Sequence, residues 1–205
     1  MTRAPDIPAQ KAALRERMRT ALDAVSPDDA RAWSGEIASL LFARLASRRR
    51  VMLFWPINAG VRDLPMAEPD LRALVSSLLG AGAEVSLPRT DWSTGAISPR
   101  VVRQPHTDLV PGRHGLSEPA STCAPITLPP EVVIAPGLAF DTCGGRLGRG
   151  RGFYDRFLST LRREHPGKAT VIGVCFGVQI VPAVPREPVD EAVDEVWTER
   201  GSLAR

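Results

Sequence analysis

Residues Gly144 to Gly152, GGRLGRGRG, set five glycines and three arginines in nine positions. Glycine lets a backbone turn so that several N–H groups converge on one anion, and arginine adds full positive charge. The run FYDRFL follows at once, so the loop ends at a helix N-terminus, whose partial positive charge also favours an anion. The chemistry these residues suit is the holding of a phosphate chain, with Arg146, Arg149 and Arg151 as its cations. Neither common nucleotide fingerprint fits. No lysine follows the loop as in G-x-x-x-x-G-K-[ST], and Gly148, Gly150 and Gly152 lack the G-x-G-x-x-G spacing. A flexible basic surface loop would have the same composition. Asp155 falls in the first helical turn, where it offsets the dipole or, beside a polyphosphate, holds Mg²⁺. Phe153, Phe157, Leu158 and Leu161 are the expected buried face of that helix, which leaves Tyr154, the chain's single tyrosine, near the loop. Lys11 is a further candidate. Of 26 basic residues only Lys11 and Lys168 are lysines, and a compact ammonium is a distinct tool from a guanidinium.

The elements that must position these residues alternate between helices and buried strands. From Lys11 onward, Leu14, Met18, Leu22 and Val25 recur at helical spacing, after an expected flexible tail over residues 1–9. Ser26-Pro27-Asp28-Asp29 starts a second helix with a hydroxyl N-cap, a proline at the first position and acids in the first turn. It is expected to run to Ser47, with Arg48, Arg49 and Arg50 complementing its dipole. VMLFW (51–55) reads as a buried strand, Glu68 to Gly82 as a helix, and EVSLP (84–88) as a second strand. Residues 89–130, with a short strand near Ile97–Val102, form a long irregular segment of the kind that often carries function. EVVIAPG (131–137), TVIGVCF (170–176) and AVDEVWTE (192–199) supply the remaining strands. This alternation predicts a single α/β domain over residues 1–205, a three-layer α/β/α arrangement with a mostly parallel central sheet. Its site belongs at the carboxyl ends of the strands.

Composition narrows the function classes. At 205 residues with 43% hydrophobic and 24% charged content, the chain is an ordinary globular one. A net charge of +3 is too small to argue for nucleic acid. No apolar run approaches the ~20 residues of a membrane span, and the N-terminus has no signal-peptide core. Cys123, Cys143 and Cys175, odd in number and without a C-x-x-C pair, argue against a disulfide framework and a zinc site. A reduced, cytoplasmic setting is expected, with Cys143 buried beside Gly144.

APGLAFDTCGGRLGRGRGFYDRFL (135–158) resembles the signature of the 5-formyltetrahydrofolate cyclo-ligase family, also called methenyltetrahydrofolate synthetases. The resemblance covers nearly the whole chain: KAALRERM matches the family's opening at Lys11 and Arg15, VMLFWPI its first strand, SLPR (86–89) and HGLSEP (114–119) its middle motifs, and VIGVCFGVQIVPAVPREPVDEAVDEVWTE its closing segment. It implies an enzyme that joins 5-formyltetrahydrofolate and MgATP to give 5,10-methenyltetrahydrofolate, ADP and phosphate, with ATP and Mg²⁺ as the groups bound. Lys11, Arg15 and the stretch Gly145, Arg146, Leu147, Gly148, Arg149, Gly150, Arg151, Gly152, Phe153 and Tyr154 are implied to bind ATP. Lys11, Arg15, Arg149 and Arg151 serve catalysis, and Asp155 and Asp194 the metal. Arg15 stands at the junction of ATP and folate, and Phe54, Trp55 and Tyr154 pack against the pterin.

The match breaks at one place. The family's Glu that contacts the reduced pterin aligns with Gly60, and Asp63 is the expected substitute. Phe153 also replaces the more usual first tyrosine of a Tyr-Tyr-Asp trio. Two other readings therefore stay open: a paralogue with the same MgATP site and another small-molecule acceptor, for example thiamine-related, or a non-catalytic nucleotide or folate binder. A reduced folate as partner, no nucleic acid, no membrane, and a monomer or weak homodimer complete the expectation.

Overall fold

The computed structural model describes residues 6–57 and 68–203. The chain opens with α1 (Ile7–Asp23). Asp6 caps it by accepting the Ala9 N–H at 3.1 Å, and Pro8 lies in its first turn. The helix thus begins inside the stretch expected to be a tail. α2 (Pro27–Leu45) starts as expected, with Ser26 Oγ accepting the Asp29 N–H at 3.0 Å. It ends at Leu45, so Arg44 is the cation of its last turn. Arg48 to Arg50 lie beyond the helix, and Arg50 instead pairs with Glu131 at 3.1 Å as it enters β1 (Arg50–Met52).

The next helix, α3 (Arg72–Gly80), is shorter than its apolar pattern suggests. Pro69 disfavours helical backbone at Glu68, which leaves Glu68 on a loop. β2 (Glu84–Asp91) and β3 (Ala96–Val102) form a long antiparallel hairpin. The irregular stretch after it contains α4 (Pro105–Asp108), a single turn, and a small ladder of β4 (Leu109–Pro111) with β5 (Ser117–Pro119). β6 (Val132–Pro136) is followed by a tight hairpin of β7 (Ala139–Phe140) and β8 (Arg146–Leu147). This hairpin accounts for the distance between strand and glycine loop. α5 (Phe153–Glu164), β9 (Thr170–Val174), β10 (Glu195–Thr198) and β11 (Gly201–Leu203) complete the chain.

The central sheet has seven strands in the order β11-β10-β9-β6-β1-β2-β3. The five inner strands are parallel, and only the edge strands β3 and β11 run antiparallel. Side chains alternate across it, as a pleat requires. Val51, Leu53, Val132, Ile134, Ile172 and Val174 meet α1, α2 and α3 on one face. Met52, Val133, Ala135, Val171 and Cys175 meet Leu158 and Leu161 of α5 on the other. The result is the expected three-layer α/β domain. Chain order reverses between β1 and β6, so the crevice at their carboxyl ends is where such a sheet binds ligands.

Two expectations fail locally. Cys143 is exposed, in the turn between β7 and β8. Phe153 is only half-buried and does not join the α5 core, where Leu158 and Leu161 are the buried residues.

Phe140 is a wedge between layers. A Cβ on Gly173 of β9 would lie 2.4 Å from the Phe140 ring, and one on Gly137 2.7 Å from it. Gly173→Ala is therefore expected to destabilise the fold by about 1–3 kcal/mol through overpacking. Urea unfolding checks it: the midpoint should fall with the m-value unchanged. A midpoint equal to the wild type's would mean the ring has room to move aside.

Candidate active site

The site is assembled at the β1/β6 crevice, and the β7–β8 hairpin brings the glycine loop to it. Asp141, buried in the hairpin turn, organises that approach. Its Oδ1 accepts the N–H of Gly145 at 2.7 Å and of Cys143 at 2.9 Å, and its Oδ2 accepts the Val184 N–H at 2.8 Å. A Cβ on Gly145 would sit 2.3 Å from this carboxylate. Glycine is thus required there for close packing, and the Gly145 N–H, expected in a phosphate cradle, is engaged by Asp141. Gln179, also buried, ties the turn after β6 by donating to the carbonyls of Gly137 at 2.8 Å and Leu138 at 3.2 Å.

From Gly148 the loop turns across the cavity. Gly150 (φ 102°) and Gly152 (φ 66°) adopt left-handed backbone that favours glycine. No side chain caps the first amides of α5, so the helix presents its positive end there. Arg156 clamps the loop against the β2–β3 hairpin tip. It donates to Gly95 O through Nε at 3.2 Å and Nη2 at 3.0 Å, and to Arg151 O at 3.1 Å. Trp92 of the same tip meets Phe153 edge-on at 5.2 Å and lies under the Arg151 guanidinium at 5.5 Å. Phe153 is a wall of the site rather than core.

The loop, α1 and the strand ends enclose a cavity of about 940 Å³. That volume suits a ligand larger than a single small metabolite. Lys11 and Arg15 reach it from α1. Lys11 Nζ is paired with Glu187 Oε2 at 2.7 Å and Asp190 Oδ2 at 2.5 Å. Burial opposes its charge, but the hydrogen bonds and charges of Asp190 and Glu187 prevail and hold its pKa above the usual lysine value. Arg15 Nε donates to Gly148 O at 3.0 Å, at the entrance of the loop. Arg149 pairs with Glu68 Oε1 at 3.1 Å, while Glu68 Oε2 accepts the Ile57 N–H at 3.1 Å. Phe54 and Trp55 supply apolar wall.

Three comparisons bear on this geometry. The family model described as 5-formyltetrahydrofolate cyclo-ligase matches residues 7–199. A 5-formyltetrahydrofolate cyclo-ligase of Mycolicibacterium smegmatis is 33% identical, over 95% of this chain and 94% of its own. The chain belongs to the 5-formyltetrahydrofolate cyclo-ligase family. The cyclo-ligase of Saccharomyces cerevisiae is 28% identical over 95% of this chain and 98% of its own. The solution structure of 5,10-methenyltetrahydrofolate synthetase from Aquifex aeolicus superposes with a TM-score of 0.77 at 28% identity, covering 95% of this chain and 92% of that one. The cyclo-ligase reading is thereby borne out, and no comparison favours another acceptor.

Within the cyclo-ligase fold, most residues singled out from the sequence converge. Lys11, Arg15, Phe54, Trp55, Arg146, Leu147, Gly148, Arg149, Gly150, Arg151, Gly152, Phe153, Tyr154 and Asp155 all line the one cavity. Gly60 and Asp63 lie outside the described residues. Asp194 does not reach the cavity. Its Oδ2 accepts the Val171 N–H at 2.7 Å at the start of β9, and its Oδ1 lies 3.3 Å from Arg162. Arg146 is buried and pairs with Asp155 Oδ1 at 2.6 Å, so its charge is already matched. Among the described residues no group of three or more His, Cys, Asp or Glu is gathered to hold a metal by itself. The residue sequence reasoning missed is Glu68. The apolar pattern makes it the first residue of a helix, whereas Pro69 after it keeps it outside one.

Tyr154 has its ring at the cavity and its hydroxyl buried without a partner among the described residues. Burial, then the nearby Glu68 charge, push the phenol well above its ordinary pKa, against a smaller opposing effect of Arg146. A phenol whose folded-state pKa is raised favours folding below the unfolded value of about 10 and loses that contribution as pH rises above it. The native protein is expected to show no tyrosinate absorbance at pH ~11, and its unfolding free energy to fall from pH ~10 upward. Spectrophotometric titration of this single tyrosine checks both, and ionisation at the ordinary value would contradict the buried hydroxyl.

Proposed function

We propose that this chain is an ATP- and Mg²⁺-dependent enzyme that cyclises 5-formyltetrahydrofolate to 5,10-methenyltetrahydrofolate with release of ADP and phosphate. The observation that carries the reading is a single cavity that joins two kinds of chemistry. The glycine loop, Arg15 and the α5 N-terminus supply its anion-binding groups, and Phe54, Trp55 and the Tyr154 ring its apolar wall, with Glu68 held between them on Arg149.

The residues fit an adenine nucleotide. The left-handed glycines Gly150 and Gly152 let backbone approach an anion without side-chain obstruction, and Arg15 lies against that backbone, 3.4 Å from where a Gly150 Cβ would stand. Bound there, ATP supplies the phosphoryl group that makes the formyl oxygen a leaving group, so that N10 closes on the carbon. For the metal the fit is narrower. Mg²⁺ in phosphoryl transfer typically needs one or two carboxylates besides phosphate and water. Asp155 is the carboxylate at the cavity that would serve, and Asp194 is not proposed beside it.

Phosphoryl transfer needs positioning and charge neutralisation more than covalent chemistry from the protein. Arg15 and Arg149 are suited to hold the transferring group, because each is anchored on one side and faces the cavity on the other. Lys11 would present its ammonium by exchanging one of its two carboxylates for phosphate. Trp55 and Phe54 offer apolar contact to the pterin ring. Glu68, on release from Arg149, would accept N–H hydrogen bonds from it, the part expected of the Gly60 position. The Tyr154 ring adds apolar wall beside Phe54 and Trp55, its hydroxyl pointing into the protein.

The test is a spectrophotometric assay with Mg²⁺ and 5-formyltetrahydrofolate, with and without ATP. ATP-dependent methenyltetrahydrofolate absorbance is expected. Glu68→Gln should lower kcat/KM for the folate by about 10- to 100-fold, the usual cost of a lost charge-assisted hydrogen bond. Protein that binds MgATP yet yields no methenyl product would overturn the reading.

A further inference from the structure

One face of α1 carries a third cation into the cavity. Lys11, Arg15 and Arg19 recur at four-residue intervals and all line it. Residues four apart on a helix share a face and climb about 6 Å per step, so Arg19 stands about 12 Å along the axis from Lys11. The three differ in what holds them. Lys11 is buried between Glu187 and Asp190, and Arg15 is bonded to Gly148 O. Among the described residues Arg19 pairs only with Glu16 of its own helix, at 3.1 Å, and the two side chains are 44% and 74% exposed. Exposed pairs of this kind contribute little and exchange readily.

We infer that Arg19 is a specificity residue that binds the glutamate carboxylate of the folate. The inference rests on the proposed acceptor. That substrate carries its reacting formyl group on a bicyclic ring at one end and an anionic glutamate at the other. Its ring end suits the apolar wall of Phe54, Trp55 and Tyr154, and Arg15 occupies the junction with the glycine loop. The cation farthest along the helix is the one left for the far end of the acceptor. A guanidinium offers two parallel N–H donors, which match a carboxylate bidentately. Among the described residues Arg19 has no hydrogen bond or ion pair to the loop or to the acids that hold Lys11, so its contribution falls on acceptor binding and not on the chemistry of the transferring phosphoryl group.

The experiment compares two acceptors, 5-formyltetrahydrofolate and 5-formyltetrahydropteroate, which has the same ring system without the glutamate. Arg19→Ala should raise KM for the folate by about 5- to 30-fold, as expected for loss of a partly exposed charged hydrogen bond. KM for ATP, KM for the pteroate and kcat should stay near wild type. Arg19→Lys should recover part of the folate KM, since charge is kept and the fork is lost. Equal losses on both acceptors, a raised KM for ATP, or no change at all would overturn the assignment. A wild-type enzyme inactive on 5-formyltetrahydrofolate would overturn the functional reading beneath it, whereas an active enzyme with a silent Arg19→Ala overturns the Arg19 role alone.

Discussion

The buried carboxylate of Asp141 is the interaction on which the site depends. Removing a carboxylate from water is costly unless hydrogen bonds replace its hydration. Here the N–H groups of Cys143, Gly145 and Val184 do so together. Two of these amides belong to the hairpin that leads into the glycine loop. The third begins the segment that reaches Glu187 and Asp190, the partners of Lys11 on α1. One carboxylate therefore fixes the relative positions of the glycine loop and of the acids that hold the α1 ammonium. Gly145 is needed because a Cβ there would occupy the space of that carboxylate.

The cavity is basic in composition but not in net effect. Lys11 faces Glu187 and Asp190, Arg146 faces Asp155, and Arg149 faces Glu68. An uncompensated cation in a partly buried site would destabilise the empty protein, and pairing removes that cost. Arg15 and Arg151 have no carboxylate partner among the described residues, Arg15 resting on Gly148 O and Arg151 over Trp92. An anion entering the site would therefore meet these two directly and have to displace carboxylates only at Lys11, Arg146 and Arg149.

What could be read from the sequence follows the range of the interactions involved. The glycine loop, the buried strands and the Ser26 cap are local patterns, and the structure reproduces them within a few residues. The parallel sheet and its two covered faces follow from continuous apolar strands alternating with helices along the chain. Glu68 at the cavity is not legible in the same way. Its place there rests on a contact with Arg149, 81 residues away in the chain. Glu68 is recognisable only by asking what Pro69 does to the helix start. Asp194 shows the same limit. The closing motif gives its identity, but its carboxylate is used to begin β9. The packing of Gly145 against Asp141 and of Phe153 against Trp92 is not legible in the sequence, because both partners are brought in from other turns.

α1 explains why the catalytic and structural demands do not conflict. Leu14, Met18 and Leu22 form its buried stripe against the sheet layer. Lys11, Arg15 and Arg19 form a second stripe, offset from the first by three residues or, equivalently, minus one. At about 100° per residue, the two stripes are adjacent on the helix surface. Hydrophobic docking of the first therefore sets the rotation that aims the second into the cavity. Turning the helix by one residue would expose leucines and withdraw the cations together, so the energy that holds the core also fixes the direction of the charges. The helix needs no hydrogen bond to the sheet for this, only the register of its two stripes.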